Sequence, residues 1–217
     1  MRSSTSKRAA GPPDPRAAIR ERAKQEGFEA AGFAAARAPE GAREGLAAFL
    51  AADHHGDMAW MATTAERRSD PLNLWSEAKS IITLGANYAP AEDPMPALER
   101  RERGVVSVYA QGQDYHDVLK RRLKRLAGWI AKTYGGDVKI FVDTAPVMEK
   151  PLAAAAGVGW QGKHTNLVSR EFGSWLFLGS IFTTIAIEFM MFFTFPRYLP
   201  HLKPSSGAHS NSDPLLK

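Results

Sequence analysis

The stretch "KSIITLGANYAP", residues 79–90, is the clearest strand signal in the chain and decides its fold class. Ile81, Ile82 and Thr83 are β-branched and a proline closes the stretch, as is typical of a β-strand. Further along the chain, "VVSVYA" (105–110) and "DVKIFVD" (137–143) predict two more strands, the second of them buried. We therefore expect a β-sheet at the centre of the fold.

Helix signals alternate with these strands. Residues 114–134 place Leu119, Leu123, Leu126 and Ile130 along one apolar stripe, which predicts a long amphipathic helix. Shorter helices are predicted at 17–27, 41–52 and 151–156, and strand-like segments at 28–36, 165–168 and 174–178. The alternation predicts a layered α/β or α+β domain.

Composition indicates one main globular domain, with 217 residues, of which 44% are apolar and 24% charged. Cysteine is absent from the sequence, so we expect neither disulfides nor thiolate metal ligands, as in a cytoplasmic protein. The net charge of +5 suits an acidic partner such as nucleic acid. Basic residues cover the polar face of the predicted long helix and either contact phosphates or form a solvated face. They are Lys120, Arg121, Arg122, Lys124, Arg125 and Lys132.

Three glycines in "GVGWQGKHT", residues 157–165, follow the G-x-G-x-x-G spacing of a nucleotide loop. His164 stands where a phosphate-binding P-loop carries Ser or Thr. A nucleotide loop follows a strand and opens a helix, whereas here a predicted helix comes first and strand-like residues follow. The order favours a glycine helix stop with turn glycines over a nucleotide site.

Asp143 follows the apolar pair Phe141-Val142 at the end of a predicted strand. A carboxylate there can serve as a general acid whose pKa is raised by apolar surroundings. The following Thr-Ala-Pro equally suits an aspartate that caps a helix N-terminus. The residues alone leave both roles open.

Six motifs occur in an order that is typical of one family. They are "HGDMAWM" (55–61), "RSDP" (68–71), "GQDYHDVLKRRLKRLA" (112–127), "FVDTAPVMEK" (141–150), "AGVGWQGKHTNLV" (156–168) and "FGSWLFLG" (172–179). Together they resemble the N-terminal part of epoxyqueuosine reductase, a cobalamin-dependent iron–sulfur enzyme of tRNA modification. The resemblance covers residues 19–184.

This resemblance implies a cobalamin-binding domain similar to the nitroreductase-like cobalamin-processing fold. In the family, a ferredoxin-like domain with two [4Fe–4S] clusters follows. The implied reaction reduces epoxyqueuosine to queuosine at the wobble position of tRNA, with an external electron donor, in the cytoplasm. The alternative is a cobalamin-binding module without redox activity of its own.

The resemblance also implies roles for individual residues. Asp143 matches the family's proton donor and contacts the cofactor pocket. Cobalamin contacts are implied for Arg68, Ser107, Asp143, Gly162, Lys163, His164 and Thr165. No protein metal ligand is expected, His164 being favoured as a hydrogen-bonding residue over a cobalt ligand. Tyr115 and His116 are predicted to form the pocket wall or pack at a helix start.

The resemblance ends after residue 184. We expect a disordered leader at 1–16, a cobalamin-binding catalytic domain at 17–184 and a divergent tail at 185–217 that arises from a frameshift or truncation. The ferredoxin-like domain is expected to be absent, and this chain alone to be inactive. A membrane span is the rival for the nearly uncharged residues 175–195, although Glu188 lies within them and no membrane partner is expected.

Overall fold

A four-stranded antiparallel sheet forms the centre of the computed structural model, which describes residues 14–143 and 145–187. The described residues contain six strands in all, which are β1 (Ala30–Ala35), β2 (Ser80–Asn87), β3 (Val138–Phe141), β4 (Trp160–Gln161), β5 (Leu167–Val168) and β6 (Leu176–Thr183). The main sheet has the order β1-β2-β6-β3, while β4 and β5 form a separate hairpin. The strand predicted at 79–90 is confirmed as β2, a central strand that pairs with β1 and β6.

Seven helices accompany the sheet in the described part of the chain. They are α1 (Pro15–Gln25), α2 (Ala42–Ala51), α3 (Ala59–Thr63), α4 (Ala65–Ser69), α5 (Pro71–Leu74), α6 (Tyr115–Tyr134) and α7 (Glu149–Ala155). The long helix predicted at 114–134 is confirmed as α6, whose first turn is capped by the Asp114 carboxylate accepting the His116 N–H. The short helix predicted at 151–156 begins earlier, at Glu149.

The helices cover both faces of the sheet because successive strand side chains point to opposite faces. On one face, Ile82 and Leu84 of β2 pack with α1 and with the apolar stripe of α6. On the other face, Ile81 packs with Phe182 and with Leu152 of α7. The structure is therefore a mixed α/β domain with helices on both sides of an antiparallel sheet.

Part of the basic face of α6 binds the end of α1. Arg125 Nε lies 2.6 Å from Glu26 Oε2, and Arg22 Nη2 lies 2.5 Å from Glu26 Oε1. Arg122 donates a hydrogen bond of 2.7 Å to the Gly27 carbonyl. Arg122 and Arg125 thus join two helices, which neither the phosphate-contact nor the solvated-face interpretation anticipates.

Two strand predictions need correction. The strand predicted at 105–110 is wrong: Val105 and Val106 are 45% and 61% exposed, and Val108–Ala110 forms a 3₁₀ turn. β-Branched residues favour a strand mainly through packing against neighbouring strands, and this segment pairs with none of the described strands. The strand predicted as buried at 137–143 is β3, an edge strand in which Lys139 is exposed and the other three residues are partly buried.

The predicted ends of the chain fall mainly outside the described residues. Residues 1–13 of the predicted leader and 188–217 of the predicted tail are not described, and α1 already begins at Pro15. β6 occupies the first half of the candidate membrane span, whose residues 188–195 are likewise not described. Among the described residues, no helix has the length and apolar character that a membrane crossing requires.

Candidate active site

An open cleft of about 200 Å³ lies where the start of α6, the end of β3, the start of α7 and β6 meet. One wall is aromatic. Phe177 of β6 stacks on Tyr115 and on Tyr88, with ring centroids 4.2 Å apart in both pairs. Trp175 meets Tyr88 edge-on at 5.4 Å. The stacked rings give the cleft an apolar wall that carries the hydroxyl groups of Tyr88 and Tyr115.

Asp143 lines this cleft from the loop that follows β3. Its backbone is left-handed, with φ of 48°, a conformation that is strained for any residue other than glycine. The Tyr115 hydroxyl donates a hydrogen bond to Asp143 Oδ2, and His116 Nε2 lies 3.6 Å from the same oxygen. The cap of α7 is Met148, so the hypothesis that Asp143 caps a helix is wrong.

Glu149 places a second carboxyl beside Asp143. Its Oε2 accepts the backbone N–H of Asp143 at 3.4 Å, and the residue is only 8% exposed. Burial raises the pKa of Glu149 well above its usual range, and the adjacent Asp143 carboxylate raises that pKa further. Both effects favour the neutral, protonated form of the Glu149 carboxyl.

Tyr115 and His116 do more than pack at the start of α6. Burial raises the pKa of the Tyr115 phenol, and so does its hydrogen bond to Asp143, which keeps the hydroxyl a donor. The His116 ring stacks on Tyr115 and places Nδ1 2.8 Å from Asp114 Oδ1. The prediction that these residues form a pocket wall or a helix start is confirmed, but it missed their contacts with Asp143.

The glycines of 157–162 end a helix and build a hairpin. Gly157 terminates α7 with φ of 77°. A Cβ on Gly159 would lie 2.3 Å from the Val168 carbonyl oxygen, so only glycine permits this approach of β4 to β5. Gly162 and Asn166 close the turn through a 2.9 Å bond from the Gly162 N–H to the Asn166 carbonyl. The helix-stop interpretation is confirmed, because α7 precedes the glycines and a strand follows them.

The remaining predicted site residues occupy different places. Lys163, His164 and Thr165 lie in the exposed turn of the β4–β5 hairpin. His164 Nε2 lies 3.2 Å from Ser174 Oγ, a group that lines the cleft. Ser107 is exposed and outside the cleft lining, two residues before the lining residue Tyr109.

Arg68 also lies outside the cleft lining, on the far side of the loop that leads to α7. Its Nη1 donates to the Val147 carbonyl at 3.5 Å, and its guanidinium lies 5.2 Å from the centre of the Trp60 ring. Burial lowers the pKa of Arg68, while the Glu149 carboxylate acts in the opposite direction. The structure thus places Arg68 near Glu149, the residue that sequence reasoning missed because the helix was predicted to begin only at Pro151.

Comparison with known proteins identifies the family. The sequence profile described as "Epoxyqueuosine reductase QueG, DUF1730" matches residues 68–144, a segment that contains Tyr115, His116 and Asp143. Residues 68–144 thus match a domain of the epoxyqueuosine reductase family. This finding confirms the resemblance seen in the six sequence motifs.

Curated epoxyqueuosine reductases match most of the chain. That of Gloeobacter violaceus is 43% identical over 175 residues, which cover 79% of this chain and 53% of the relative. That of Leadbetterella byssophila is 39% identical over 171 residues, or 78% of this chain and 55% of the relative. The chain therefore spans about half the length of these relatives.

Solved epoxyqueuosine reductase structures share the fold. A crystal structure of the enzyme with an epoxyqueuosine-modified tRNA-Tyr stem loop has a TM-score of 0.66 and 26% identity, over 80% of this chain and 46% of that chain. The enzyme from Streptococcus thermophilus has a TM-score of 0.65 and 27% identity over the same shares.

Within residues 14–143 and 145–187, no group of three or more His, Asp or Glu side chains could hold a metal ion.

Proposed function

We propose that this chain supplies the cofactor-binding and proton-donating part of an epoxyqueuosine reductase, which reduces epoxyqueuosine to queuosine in the wobble position of tRNA. The observation that carries the proposal is Asp143, which projects into an aromatic cleft within a domain of this family. A related enzyme of known structure is bound to an epoxyqueuosine-modified tRNA stem loop, which supports tRNA as the partner.

The cleft suits cobalamin, whose corrin is a large flat ring with amide side chains. The stacked rings of Tyr115, Phe177 and Tyr88 form an apolar wall that the edge of such a ring could contact. Polar groups border it, including Lys150, which donates to Asn166 Oδ1 at 3.1 Å. A few polar groups around an apolar pocket are what fixes the orientation of such a ligand.

Several residues of this chain would hold the cofactor. The hairpin residues Gly162, Lys163, His164 and Thr165 stay predicted contacts at the rim of the cleft, and the domain is proposed to belong to the nitroreductase-like cobalamin-processing group. Ser107 and Arg68 stay predicted contacts as well, although neither lines the cleft in the structure. When bound, cobalamin supplies the electrons for cleavage of the carbon–oxygen bond.

Asp143 is the proposed proton donor to the oxygen that leaves carbon. An alkoxide is a poor leaving group, so an acid positioned beside the oxygen supplies its proton in the transition state. The Tyr115 hydrogen bond holds the Asp143 carboxyl towards the cleft. The sequence contains no cysteine, so the family's two [4Fe–4S] clusters have no thiolate ligands here and the electrons must come from an external donor.

Replacement of Asp143 by Asn tests this role. Asn keeps the shape and the hydrogen-bonding oxygen but has no carboxylic proton, so Asp143→Asn should leave cobalamin binding unchanged. Epoxyqueuosine turnover should fall by roughly 10²-fold or more. Single-turnover assays on modified tRNA would measure this in a fusion of the chain with the cluster-bearing part of a relative. Asp117→Asn, an exposed change on α6, is the control, and normal turnover by Asp143→Asn would contradict the proposal.

Cofactor binding can be measured on the chain itself. We expect the visible spectrum of cob(II)alamin to change on addition of the protein, whereas iron and acid-labile sulfide should be absent from a pure preparation. With reductant and cobalamin alone, the 217-residue chain should not turn over epoxyqueuosine. Stoichiometric iron, or activity of the chain without a donor protein, would contradict the assignment.

A further inference from the structure

Glu149 is a buried carboxyl without a neutralising partner. Two other carboxylates are buried in the described part of the chain, and both are paired: Glu26 with Arg22 and Arg125, and Asp70 with Arg43. Glu149 forms no ion pair within the described residues, and its Oε1 has no hydrogen-bond partner there. A carboxyl that is buried in this way is expected to keep its proton.

The proposed mechanism creates a need for such a proton. Asp143 loses its proton to the substrate oxygen in each turnover and must regain one before the next. The Asp143 side chain is 49% exposed in the cleft, whereas Glu149 is only 8% exposed. Glu149 lies against it, with Oε2 3.4 Å from the Asp143 backbone nitrogen, and both residues line the cleft.

We propose that Glu149 is the proton store for Asp143. This inference rests on the proposed function, in which Asp143 protonates the substrate oxygen. When Asp143 has given up its proton, the O–H bond of Glu149 breaks and an O–H bond forms on the Asp143 carboxylate. One negative charge moves from Asp143 to Glu149 and no electrons are exchanged. Glu149 then takes a proton from water in the cleft.

The charges around the pair suit this transfer. The Asp143 carboxylate and burial both oppose ionisation of Glu149, so the resting proton stays on Glu149, while the Arg68 guanidinium favours the Glu149 carboxylate that the transfer creates. The other titratable groups that face the pair are Tyr115 and His116, which contact Asp143, and Lys150, which is held by Asn166. Arg68 is therefore placed to stabilise the product of the proton transfer.

Carboxyl NMR on the chain itself tests the store directly. Titration of ¹³C-labelled Asp and Glu carboxyls should show Glu149 protonated at pH 7. In Asp143→Asn the pKa of Glu149 should fall, because the neighbouring negative charge is gone. Glu44, exposed in the first turn of α2, is the matched control for a glutamate at a helix start, and it should not respond. A Glu149 that is ionised at pH 7, or that does not respond to Asp143→Asn, overturns the proposal.

Turnover separates the store from a purely structural role. In the fusion enzyme, Glu149→Gln should lower kcat at pH 7 by roughly tenfold or more, because Gln has no carboxylic proton to pass to Asp143. The loss should shrink as the pH is lowered, because solvent then supplies the proton in place of Glu149, and KM should not change. A loss that does not vary with pH overturns the store.

The two proposals fail in distinguishable ways. If Asp143→Asn keeps normal turnover, the proposed function fails, even where NMR shows that the same substitution lowers the pKa of Glu149. If Asp143→Asn abolishes turnover while Glu149→Gln leaves the pH profile unchanged, the store alone fails. Should Glu149→Gln not fold, the response of Glu149 to Asp143→Asn still decides the question.

Discussion

The Tyr115 hydroxyl holds the Asp143 carboxyl in the cleft. Removal of this hydroxyl should therefore change the free energy of unfolding. Tyr115→Phe keeps the ring that stacks on Phe177 and removes only the hydrogen bond to Asp143. We expect the free energy of unfolding to fall by about 1 kcal/mol, the usual net value of such a bond. Urea denaturation would measure it.

Tyr109→Phe is the control for this change, because Tyr109 lines the same cleft and is exposed. Its hydroxyl has no hydrogen-bond partner within the described residues, so no loss of stability is expected. Equal effects of the two substitutions would show that the Tyr115 hydroxyl contributes nothing specific.

Gly32 has no side chain, which allows β1 to lie close to the end of α7. A Cβ at this position would lie 2.3 Å from the Ala156 carbonyl oxygen and 2.8 Å from Val158 Cγ2. Gly32→Ala should therefore destabilise the protein by about 2 kcal/mol through overpacking. Gly45→Ala, within α2 and facing open space, should instead stabilise it by about 0.5–1 kcal/mol. Thermal unfolding of both variants checks the opposite signs.

At the scale of elements, the contact between α1 and α6 depends on Glu26. Burial by itself would raise the pKa of Glu26, but the hydrogen bonds and charges of Arg125 and Arg22 outweigh it and lower that pKa below 4.5. A lowered folded pKa means that the stabilisation is complete above the unfolded value and is lost as the pH falls through the folded value. The contact between the two helices should therefore weaken in acid.

Glu26→Gln should lower the free energy of unfolding by about 2 kcal/mol at pH 7. The difference from the unchanged protein should shrink as the pH falls below 4.5, because the side chain at position 26 is then neutral in both proteins. Urea midpoints measured across this pH range would show it. Glu21→Gln, an exposed change on α1, should have little effect at any of these pH values.

At the scale of the whole molecule, most residues of the segment between β2 and α6, residues 88–114, are exposed. Arg100, Arg101 and Arg103 lie in it and are exposed, beside the exposed apolar side chains of Met95 and Leu98. Proteases cut where the backbone can open locally. Within the described residues, brief trypsin treatment should therefore cut after these arginines before it cuts in α6, despite the many basic residues of that helix. Mass spectrometry of the fragments would identify the first sites.

The sequence alone determined the features that depend on local periodicity. The β-branched residues of 79–90 indicated β2, and the apolar stripe of 114–134 indicated α6, because these are the residues that each element buries in the core. The glycine after α7 was readable in the same way. The motif order also pointed to Asp143, although the structure alone shows that it does not cap α7.

Only the tertiary structure decided which residues meet. The Tyr115–Asp143 hydrogen bond joins positions 28 apart, and the Arg125–Glu26 contact joins positions 99 apart. A local sequence pattern could predict neither of them. The same holds for the failed strand at 105–110, whose β-branched residues find no partner strand. Glu149 reads as an ordinary glutamate in the sequence. Its raised pKa follows from burial and from the neighbouring Asp143 carboxylate, an environment that only the packing of α7 on the sheet creates.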